Sequence, residues 1–392
     1  MMRRKAAIVG IGQTDFSKES GRSEWELALE AVLAALADAG IAPSEVDGLI
    51  RYSYDNVHQG MLVRSLGIKD LRWYGELPFG GIAQCGVIAQ AAAAIAAGIA
   101  STVVVYRALN ERSGVRYGRA ERSIAATGEQ VAAVGDRTPS GQFSGPYGLH
   151  VPGQSMALWA RRYMHEFGLD EEELSEALGA IAVQQRRYAN KNPNAMMRDK
   201  PLDRETYRQG RMISSPLRLY DYCLETDGAV ALVLTGAETA RSLREDPVYV
   251  LSAQQSLFPH AEPITVYAED LSRIYVPENI AKLYDDAGIS PEQISVAELY
   301  DATSINVLAS LEIYRFAADG CGWRHLIEQG IGPESGLPVN THGGHLSEGY
   351  IHGLNHLAEA VRQLRGTAVN QVAGAETALV GCNGASSAIL GR

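Results

Sequence analysis

The stretch from Val339 to His356 (V-N-T-H-G-G-H-L-S-E-G-Y-I-H-G-L-N-H) concentrates side chains that could carry chemistry. It holds four of the nine histidines of the chain, four glycines and Tyr350. Apolar residues at helical spacing follow it, which predicts a glycine-rich turn that leads into a helix. The first backbone N–H groups of a helix lack partners, so such a turn could bind an anionic oxygen. A polar loop that is satisfied within the protein is the structural alternative.

The histidine spacing also permits a metal site. His342 and His345 are three residues apart, and His352 and His356 are four residues apart, as on one face of a helix. However, the chain has no HExxH motif, and Glu348 separates the two pairs. The sequence therefore favours no metal, which metal analysis of the purified chain would decide.

The composition limits the class of protein. The 392 residues are 46% hydrophobic and 21% charged, which favours two domains or one large double domain. A net charge of −11 argues against nucleic acid or an anionic membrane surface as the main partner. The chain has no CxxC motif and no 18-residue apolar run, and we expect no signal sequence because the first residues run directly into a strand pattern. We therefore expect a reduced, cytoplasmic protein without a membrane span.

Two parts of the chain repeat one pattern of elements. The hexapeptide at 38–43 (D-A-G-I-A-P) recurs at 286–291 (D-A-G-I-S-P), each time after a helix pattern and before a strand pattern. Helix patterns at 86–98 and 353–366 both follow glycine-rich turns and precede strand patterns. These parallels predict an internally duplicated α/β fold.

A long insertion separates the predicted halves. The N-terminal half is expected at 1–110 together with 225–246, and the C-terminal half at 247–392. The inserted residues 111–224 contain helix patterns at Met156–Phe167 and Glu171–Tyr188. An insertion of this length is often a lid or binding element over a site, and a dimer-contact arm is the alternative.

Several segments resemble the thiolase superfamily, and within it the sterol-carrier and lipid-transfer branch. Residues 213–234 (I-S-S-P-L-R-L-Y-D-Y-C-L-E-T-D-G-A-V-A-L-V-L) resemble its strand-closing segment, and 192–199 (N-P-N-A-M-M-R-D) its loop motif. Residues 296–302 (V-A-E-L-Y-D-A) resemble its V-E-x-H-D-x-F segment, and 340–353 its N-x-x-G-G…G-H-P-x-G segment. The resemblance covers essentially the whole chain and implies a five-layered αβαβα fold.

The departures from the thiolase pattern lie at catalytic positions. The position of the acyl-carrying cysteine falls at Gly81, and Cys85 lies about one helical turn too late, where a buried small residue is expected. Tyr300 and Tyr350 stand where the family has histidines. Cys382, in C-N-G, keeps the position of the acid/base cysteine. The chain is therefore not expected to work as a thiolase.

The resemblance implies a reaction without an acyl-enzyme. Retro-aldol cleavage needs a base for a hydroxyl, a donor for an enolate oxygen and a proton for its carbon. Aldolases of the same branch cleave a 17-hydroxy-3-oxosteroid C22-oyl-CoA to a 17-ketosteroid and propionyl-CoA with a tyrosine pair. By this resemblance Tyr300 is expected to be the hydroxyl base and Tyr350 the enolate-side donor, although the order could be reversed. A buried aromatic pair is the structural alternative.

Other residues are candidate supports for this chemistry. A free tyrosine titrates near pH ~10, so a tyrosine base needs a lowered pKa or a concerted transfer. The two histidines among the candidates, and the helix N-terminus near Gly353, could stabilise a phenolate. No cofactor is expected, because the coenzyme A thioester is the substrate. The candidate supports are His345, His352, Asp301, Ser347 and Cys382.

The resemblance also implies partners. A homodimer through the sheet edge is expected, bound to a small protein with an OB fold and a zinc ribbon, which gives a heterotetramer. This chain has no CxxC pairs, so any zinc would belong to that partner. Two alternatives stay open: a non-catalytic acyl-CoA or sterol carrier of thiolase fold, and a thiolase that uses Cys382 or Cys85 in an altered role.

Overall fold

The computed structural model describes residues 3–53, 55–78, 80–114, 116–118, 145–244, 246–256 and 275–392. The strands in these residues are β1 (Ala6–Gln13), β2 (Gly48–Tyr52), β3 (Trp73–Leu77), β4 (Thr102–Asn110), β5 (Met212–Ser214), β6 (Leu217–Arg218), β7 (Asp227–Gly236), β8 (Val248–Gln255), β9 (Val296–Leu299), β10 (Thr377–Cys382) and β11 (Ser386–Gly391).

The helices lie mostly between the strands. They are α1 (Glu24–Ala39), α2 (Gln59–Leu66), α3 (Gly86–Ala96), α4 (Pro152–Phe167), α5 (Glu171–Ala189), α6 (Arg204–Arg208), α7 (Ala237–Leu243), α8 (Pro277–Ala287), α9 (Ser304–Ile313), α10 (Gly322–Glu328), α11 (Gly344–Ser347) and α12 (Leu354–Arg365). No helix in the described part of the chain is long and apolar enough to cross a bilayer.

A mixed sheet runs through the molecule in the order β3-β2-β4-β7-β1-β8-β11-β10-β9. On one side of the centre, β1 pairs antiparallel with β7, β7 antiparallel with β4, and β4 parallel with β2. On the other side, β8, β11, β10 and β9 repeat the same succession of pairings. The sheet therefore consists of two similarly connected parts, as a duplication predicts. The residue boundaries of the two halves stay a prediction.

The repeated hexapeptide has the same conformation in both copies. The C-cap residue of α1 is Gly40, with a φ of 66°, and that of α8 is Gly288, with a φ of 67°. This left-handed backbone suits glycine, which has no Cβ to clash. A short 3₁₀ turn and a strand follow in each case, at Pro43–Glu45 before β2 and at Pro291–Gln293 before β9.

Helices α3 and α12 lie in a core that both parts of the sheet share. In β1, Ala6 and Ile8 belong to this core, whereas Ala7 and Val9 belong to a second core with α1, α8 and α9. Side chains alternate between the two faces of a strand, so a strand covered on both faces is apolar throughout. The two cores explain why β1 is a continuous apolar run.

The described part of the inserted region supports residues 339–353, which we name the histidine loop. Helix α5 packs against α9, α10 and α11. Arg186 of α5 donates from Nε to Ser347 Oγ at 2.9 Å, and Asn192 Nδ2 donates to the His342 carbonyl at 2.9 Å. Residues 119–144 of this region lie outside the described residues. Whether the region also acts as a lid or a dimer arm stays a prediction.

Candidate active site

Two tyrosine hydroxyls meet beyond the carboxyl end of strand β9. Tyr300 follows the strand directly, and Tyr350 lies on the histidine loop. Their Oη atoms are 2.8 Å apart, and the rings meet edge on with centroids 6.3 Å apart. Both side chains are more than nine-tenths buried. The structure thus brings together the two residues that the sequence predicts as a catalytic pair.

Asn340 joins the histidine loop to strand β9. Its Oδ1 accepts the Leu299 N–H at 2.7 Å, and its Nδ2 donates to the Leu299 carbonyl at 2.8 Å. Asn340 has a φ of 53°, a left-handed conformation that asparagine adopts more readily than most residues. This two-point contact fixes the start of the loop against the residue that precedes Tyr300.

Residues of the predicted N-terminal half hold Tyr350. Its backbone N–H donates to Thr226 Oγ1 at 2.9 Å. Phe16 lies against Gly349, where an added Cβ would be 2.5 Å from Phe16 Cδ2. The tyrosine pair therefore belongs to the C-terminal half, but both predicted halves determine its position.

The ring of Tyr300 fills the space that a side chain at position 81 would need. A Cβ added at Gly81 would lie 2.0 Å from Tyr300 Cζ and 2.4 Å from its Oη, and Cβ contacts under 3.0 Å are essentially never seen. Residue 81 can carry no side chain while Tyr300 keeps this place. If Gly81 is the lost nucleophile position, as the resemblance implies, a side chain there and the phenol of Tyr300 exclude each other.

The thiols near the pair are protonated, and Cys382 and Cys85 are buried. Cys382 packs against both tyrosines, and burial raises the pKa of its thiol. Burial also raises the pKa of Cys223, which packs against the same cluster, and that of Cys85. The Cys85 Sγ donates to the Val380 carbonyl at 3.3 Å. Only a thiolate is a strong nucleophile, so none of these cysteines is prepared for acyl transfer.

His345 packs against both tyrosine rings without donating to them. The ring centroids lie 5.0 Å from Tyr300 and 4.9 Å from Tyr350. Its Nε2 lies 3.1 Å from the Gly353 backbone nitrogen and 3.1 Å from Asn355 Oδ1, and its Nδ1 lies 3.0 Å from Asp301 Oδ1. Burial lowers the pKa of His345 to about 4, so the ring is neutral. His345 therefore occupies the helix N-terminus and positions the rings.

His352 contacts Tyr350 as well, with ring centroids 4.9 Å apart. Its Nδ1 accepts a hydrogen bond from Arg107 Nε at 3.0 Å. Its φ of 48° lies in the left-handed region, which costs a non-glycine residue about 1–3 kcal/mol. Tyr52 holds this backbone by donating from Oη to the His352 carbonyl at 3.3 Å.

Asp301 accepts hydrogen bonds from the backbone of the histidine loop. It accepts the backbone N–H groups of His345 at 3.0 Å and Leu346 at 3.3 Å. Burial acts to raise the pKa of Asp301, but His345 and His356 outweigh it and hold the pKa below its ordinary value. Asp301 is therefore a carboxylate that fixes the loop.

Asp301, His345 and His356 also offer ligand atoms within 4.8 Å of one another. Asp301 Oδ1 lies 3.0 Å from both His345 Nδ1 and His356 Nε2. Neighbouring ligands of tetrahedral zinc, at about 2.0 Å from the metal, are about 3.3 Å apart. These distances are close to both a hydrogen bond and the separation of two zinc ligands, so the expectation of no metal stays a prediction. His352, the expected partner of His356 in the metal alternative, instead binds Arg107.

Comparison with known proteins gives close relatives along the full chain. A family described as Thiolase C-terminal domain-like matches residues 263–390. The chain is 42% identical to the 17-hydroxy-3-oxo-4-pregnene-20-carboxyl-CoA lyase of Mycobacterium tuberculosis, over 97% of this chain and 96% of that protein. It is 43% identical to the steroid side-chain-cleaving aldolase of Thermomonospora curvata, over 93% of this chain and 92% of that protein.

The chain belongs to the thiolase superfamily. Within it, the chain falls in the branch of the side-chain-cleaving aldolases and is a carbon–carbon lyase that performs retro-aldol cleavage. The solved structure of an "Ltp2-ChsH2(DUF35) aldolase" matches with a TM-score of 0.89 and 41% identity, covering 100% of this chain and 98% of that chain. Human mitochondrial 3-ketoacyl-CoA thiolase, at 14% identity and a TM-score of 0.68, shares the fold. The predicted thiolase-like α/β fold is confirmed.

The electrostatics of the aldolase keep both phenols protonated at rest. Burial raises the pKa of Tyr300 and of Tyr350 well above the ordinary tyrosine value. The hydrogen bond between them lowers the pKa of Tyr300 and raises that of Tyr350. A lowered pKa, one of the two routes open to a tyrosine base, is thus absent, and concerted proton transfer remains.

His342 forms a buried ion pair that the sequence did not predict. Its Nδ1 lies 3.0 Å from Glu298 Oε2 and its Nε2 3.5 Å from Glu348 Oε2. Burial alone would lower the pKa of His342, but Glu348 and Glu298 outweigh it and raise the pKa to about 10. The imidazolium therefore balances carboxylates behind the histidine loop.

This ion pair makes the stability of the aldolase depend on pH. The folded-state pKa of His342, about 10, exceeds the unfolded value of about 6.5. Its stabilisation is therefore complete below pH ~6.5 and disappears as the pH rises through ~10. We expect the melting temperature to fall over this window, and His342→Gln to lower stability by about 3–5 kcal/mol at pH 7. Parallel pH profiles for the wild type and His342→Gln would contradict this assignment.

Sequence reasoning also missed Arg107 and Asp55. Both side chains are almost fully buried, and Arg107 reaches His352 from strand β4. The signal was present in the sequence, because Arg107 interrupts the apolar run of that strand (T-V-V-V-Y-R-A-L-N). A charge inside a buried strand requires a partner, and here the partner is part of the site.

Proposed function

We propose that this aldolase cleaves a 17-hydroxy-3-oxosteroid C22-oyl-CoA to a 17-ketosteroid and propionyl-CoA, with Tyr300 and Tyr350 as its catalytic pair. The observation that carries the proposal is the 2.8 Å contact between the two phenol oxygens, in a site where Tyr300 excludes a side chain at Gly81. The names of two relatives, a pregnene-carboxyl-CoA lyase and a steroid side-chain-cleaving aldolase, support this substrate class.

The hydrogen bond between the tyrosines provides a proton relay. Tyr300 takes the proton of the substrate 17-hydroxyl while its own proton passes to Tyr350 Oη, and Tyr350 releases its proton to the α-carbon of the thioester. The bond between C17 and C20 breaks as C17 becomes a carbonyl and the electron pair moves into the thioester enolate. The substrate hydroxyl thus loses one proton, and the α-carbon of the propionyl thioester gains one from Tyr350. No phenolate exists at rest, in agreement with the raised pKa values.

The contact between Tyr350 and His352 on the histidine loop supports this order of the tyrosines, because a hydrogen-bond donor beside Tyr350 suits the enolate side. The reversed order is the alternative.

The reaction needs no resident cofactor. The thioester itself delocalises the electron pair of the breaking bond, and no oxidation or reduction takes place. We therefore propose coenzyme A only as part of the substrate, and a metal-free chain. Inactivation by chelation of a metal bound to this chain would contradict this point.

We further propose a cytoplasmic heterotetramer of two copies of this chain with two copies of a small OB-fold, zinc-ribbon protein. The similar solved aldolase carries a DUF35 component in its name, which supports a second subunit. Strand β3 is an edge of the sheet, and Tyr74 on it is 69% exposed. An exposed strand edge can pair with the same edge of a second copy.

Product analysis tests the proposed function. The purified chain with its zinc-ribbon partner is given a 17-hydroxy-3-oxosteroid C22-oyl-CoA, and the products are identified by mass spectrometry. We expect equal amounts of the 17-ketosteroid and propionyl-CoA. Tight binding of the thioester without products would favour the carrier alternative, and a trapped acyl adduct on Cys382 or Cys85 would favour the thiolase alternative.

A further inference from the structure

Arg107 is a buried cation held in one orientation at the edge of the site. Its side chain is 1% exposed, and Nη1 lies 3.4 Å from Oδ2 of the fully buried Asp55. Asp55 in turn accepts the backbone N–H groups of Val57 at 3.0 Å and Ala108 at 2.9 Å. Buried charges persist only when they are paired and hydrogen-bonded. The Arg107–Asp55 pair therefore directs Nε of the guanidinium at His352.

Arg107 determines which nitrogen of His352 carries the hydrogen. A guanidinium stays protonated in proteins, and its Nε can only donate. The Nδ1 of His352, 3.0 Å away, must therefore accept and be bare. Burial and then the charge of Arg107 lower the pKa of His352 well below its ordinary value, so the ring is neutral. A neutral ring with a bare Nδ1 carries its hydrogen on Nε2.

The Nε2 atom faces the same glycines as the catalytic tyrosine. A Cβ added at Gly80 would lie 2.7 Å from His352 Nε2, and one at Gly81 would lie 2.4 Å from Tyr300 Oη. Within the described ranges, no hydrogen-bond acceptor for Nε2 is present. The absence of side chains at Gly80 and Gly81 thus lets an N–H donor and a phenol approach the same stretch of backbone.

We propose that His352 is a catalytic residue that donates its Nε2–H to the thioester oxygen as the enolate forms, and that Arg107 and Asp55 are positioning residues for it. This inference rests on the proposed retro-aldol function. A fixed donor in a water-poor site stabilises an oxyanion without reorganising. A neutral imidazole is also a poor acid, so it stabilises the enolate oxygen while the tyrosines keep the proton transfer.

The surroundings of His352 leave this assignment intact. Its ring contacts those of Tyr52 and Tyr117 at centroid distances of 6.1 and 5.8 Å, in addition to Tyr350. The ionisable groups that face it are Arg107 from β4, Tyr52 from β2, Tyr117 from the segment after β4, and His345 and Tyr350 from the histidine loop. The positive charge of Arg107 disfavours protonation of His352. The phenols of Tyr52, Tyr117 and Tyr350 are neutral.

A matched pair of substitutions tests the donor. The amide nitrogen of glutamine reaches the position of Nε2, whereas that of asparagine lies nearer Nδ1. We expect His352→Ala to lower kcat by about 10²–10³-fold. His352→Gln should retain at least about 10-fold more activity than His352→Asn, with KM little changed. Asparagine is also the better residue for a φ of 48°. An equal loss in both variants, or greater activity in His352→Asn, would show a merely structural role.

A second measurement is independent of turnover. Spectra of ¹⁵N-histidine-labelled protein in complex with its partner, with His352→Gln to assign the signal, report the state of each ring nitrogen. We expect a bare Nδ1 and a protonated Nε2 from pH ~5.5 to ~8.5. Imidazolium or an Nδ1–H tautomer overturns the inference even if the wild type cleaves the steroid thioester. If the wild type cleaves no such thioester, the proposed function fails and the donor role falls with it, while the tautomer is still decided by these spectra.

Discussion

Tyr300→Phe and Tyr350→Phe each lower kcat for the cleavage by at least about 10²-fold, because either change removes one oxygen of the proton relay. The two hydroxyls are 2.8 Å apart and act as one unit. We therefore expect the double variant to be about as slow as the slower single variant, since residues that act together are not additive. Steady-state rates with the zinc-ribbon partner present check this expectation.

A buried tyrosine outside the pair provides the control. Tyr284 donates from Oη to the Tyr314 carbonyl at 2.8 Å, in contact with neither catalytic hydroxyl. Tyr284→Phe should lose about 1 kcal/mol of stability and keep a near-normal rate. If both catalytic variants kept near-normal rates, the relay would be refuted.

Gly81→Ala is expected to lower kcat by at least about 10²-fold, although it adds a single methyl group. That methyl would lie 2.0 Å from Tyr300 Cζ, so the phenol ring has to leave its place. A small displacement of a reacting group can cost about 10²-fold in rate. The clash also destabilises the fold by about 1–3 kcal/mol. Rates and melting temperatures of the variant measure the two effects.

Two comparisons isolate the clash as the cause. Gly60, on helix α2, has no atom within 4 Å of an added Cβ, so Gly60→Ala should leave the rate unchanged. In a Tyr300→Ala background the obstacle is gone, and Gly81→Ala should then cost almost no stability. If Gly81→Ala destabilised the Tyr300→Ala protein as much as it destabilises the wild type, the clash with Tyr300 would not be the cause.

The sequence predicted the parts of this fold that depend on local pattern. Helix α1 follows the repeated pattern, with a capping box between Ser23 and Glu26 at its start and Gly40 as its C-cap. The sequence also singled out the two tyrosines whose hydroxyls meet, because each falls inside a recognisable segment. Helix and strand periodicity, with turn residues at their ends, is enough for such assignments.

The sequence could not show how the histidines are used. His342, His345, His352 and His356 are close in the chain, but the structure gives them different partners. His342 binds carboxylates, His345 binds a backbone N–H, and His352 binds an arginine 245 residues away in the chain. Such partners come from other elements, so the ionisation state of each ring depends on tertiary contacts that a local motif does not encode.

The mutual exclusion of a side chain at Gly81 and the ring of Tyr300 constrains descent within the superfamily. If the ancestor was a thiolase with a cysteine at position 81, as the resemblance implies, the phenol of residue 300 could take its present place only once that thiol was gone. We therefore expect an intermediate that had lost acyl transfer and had not yet gained carbon–carbon cleavage. Ancestors reconstructed near that branch point should therefore bind acyl-CoA while turning it over in neither way.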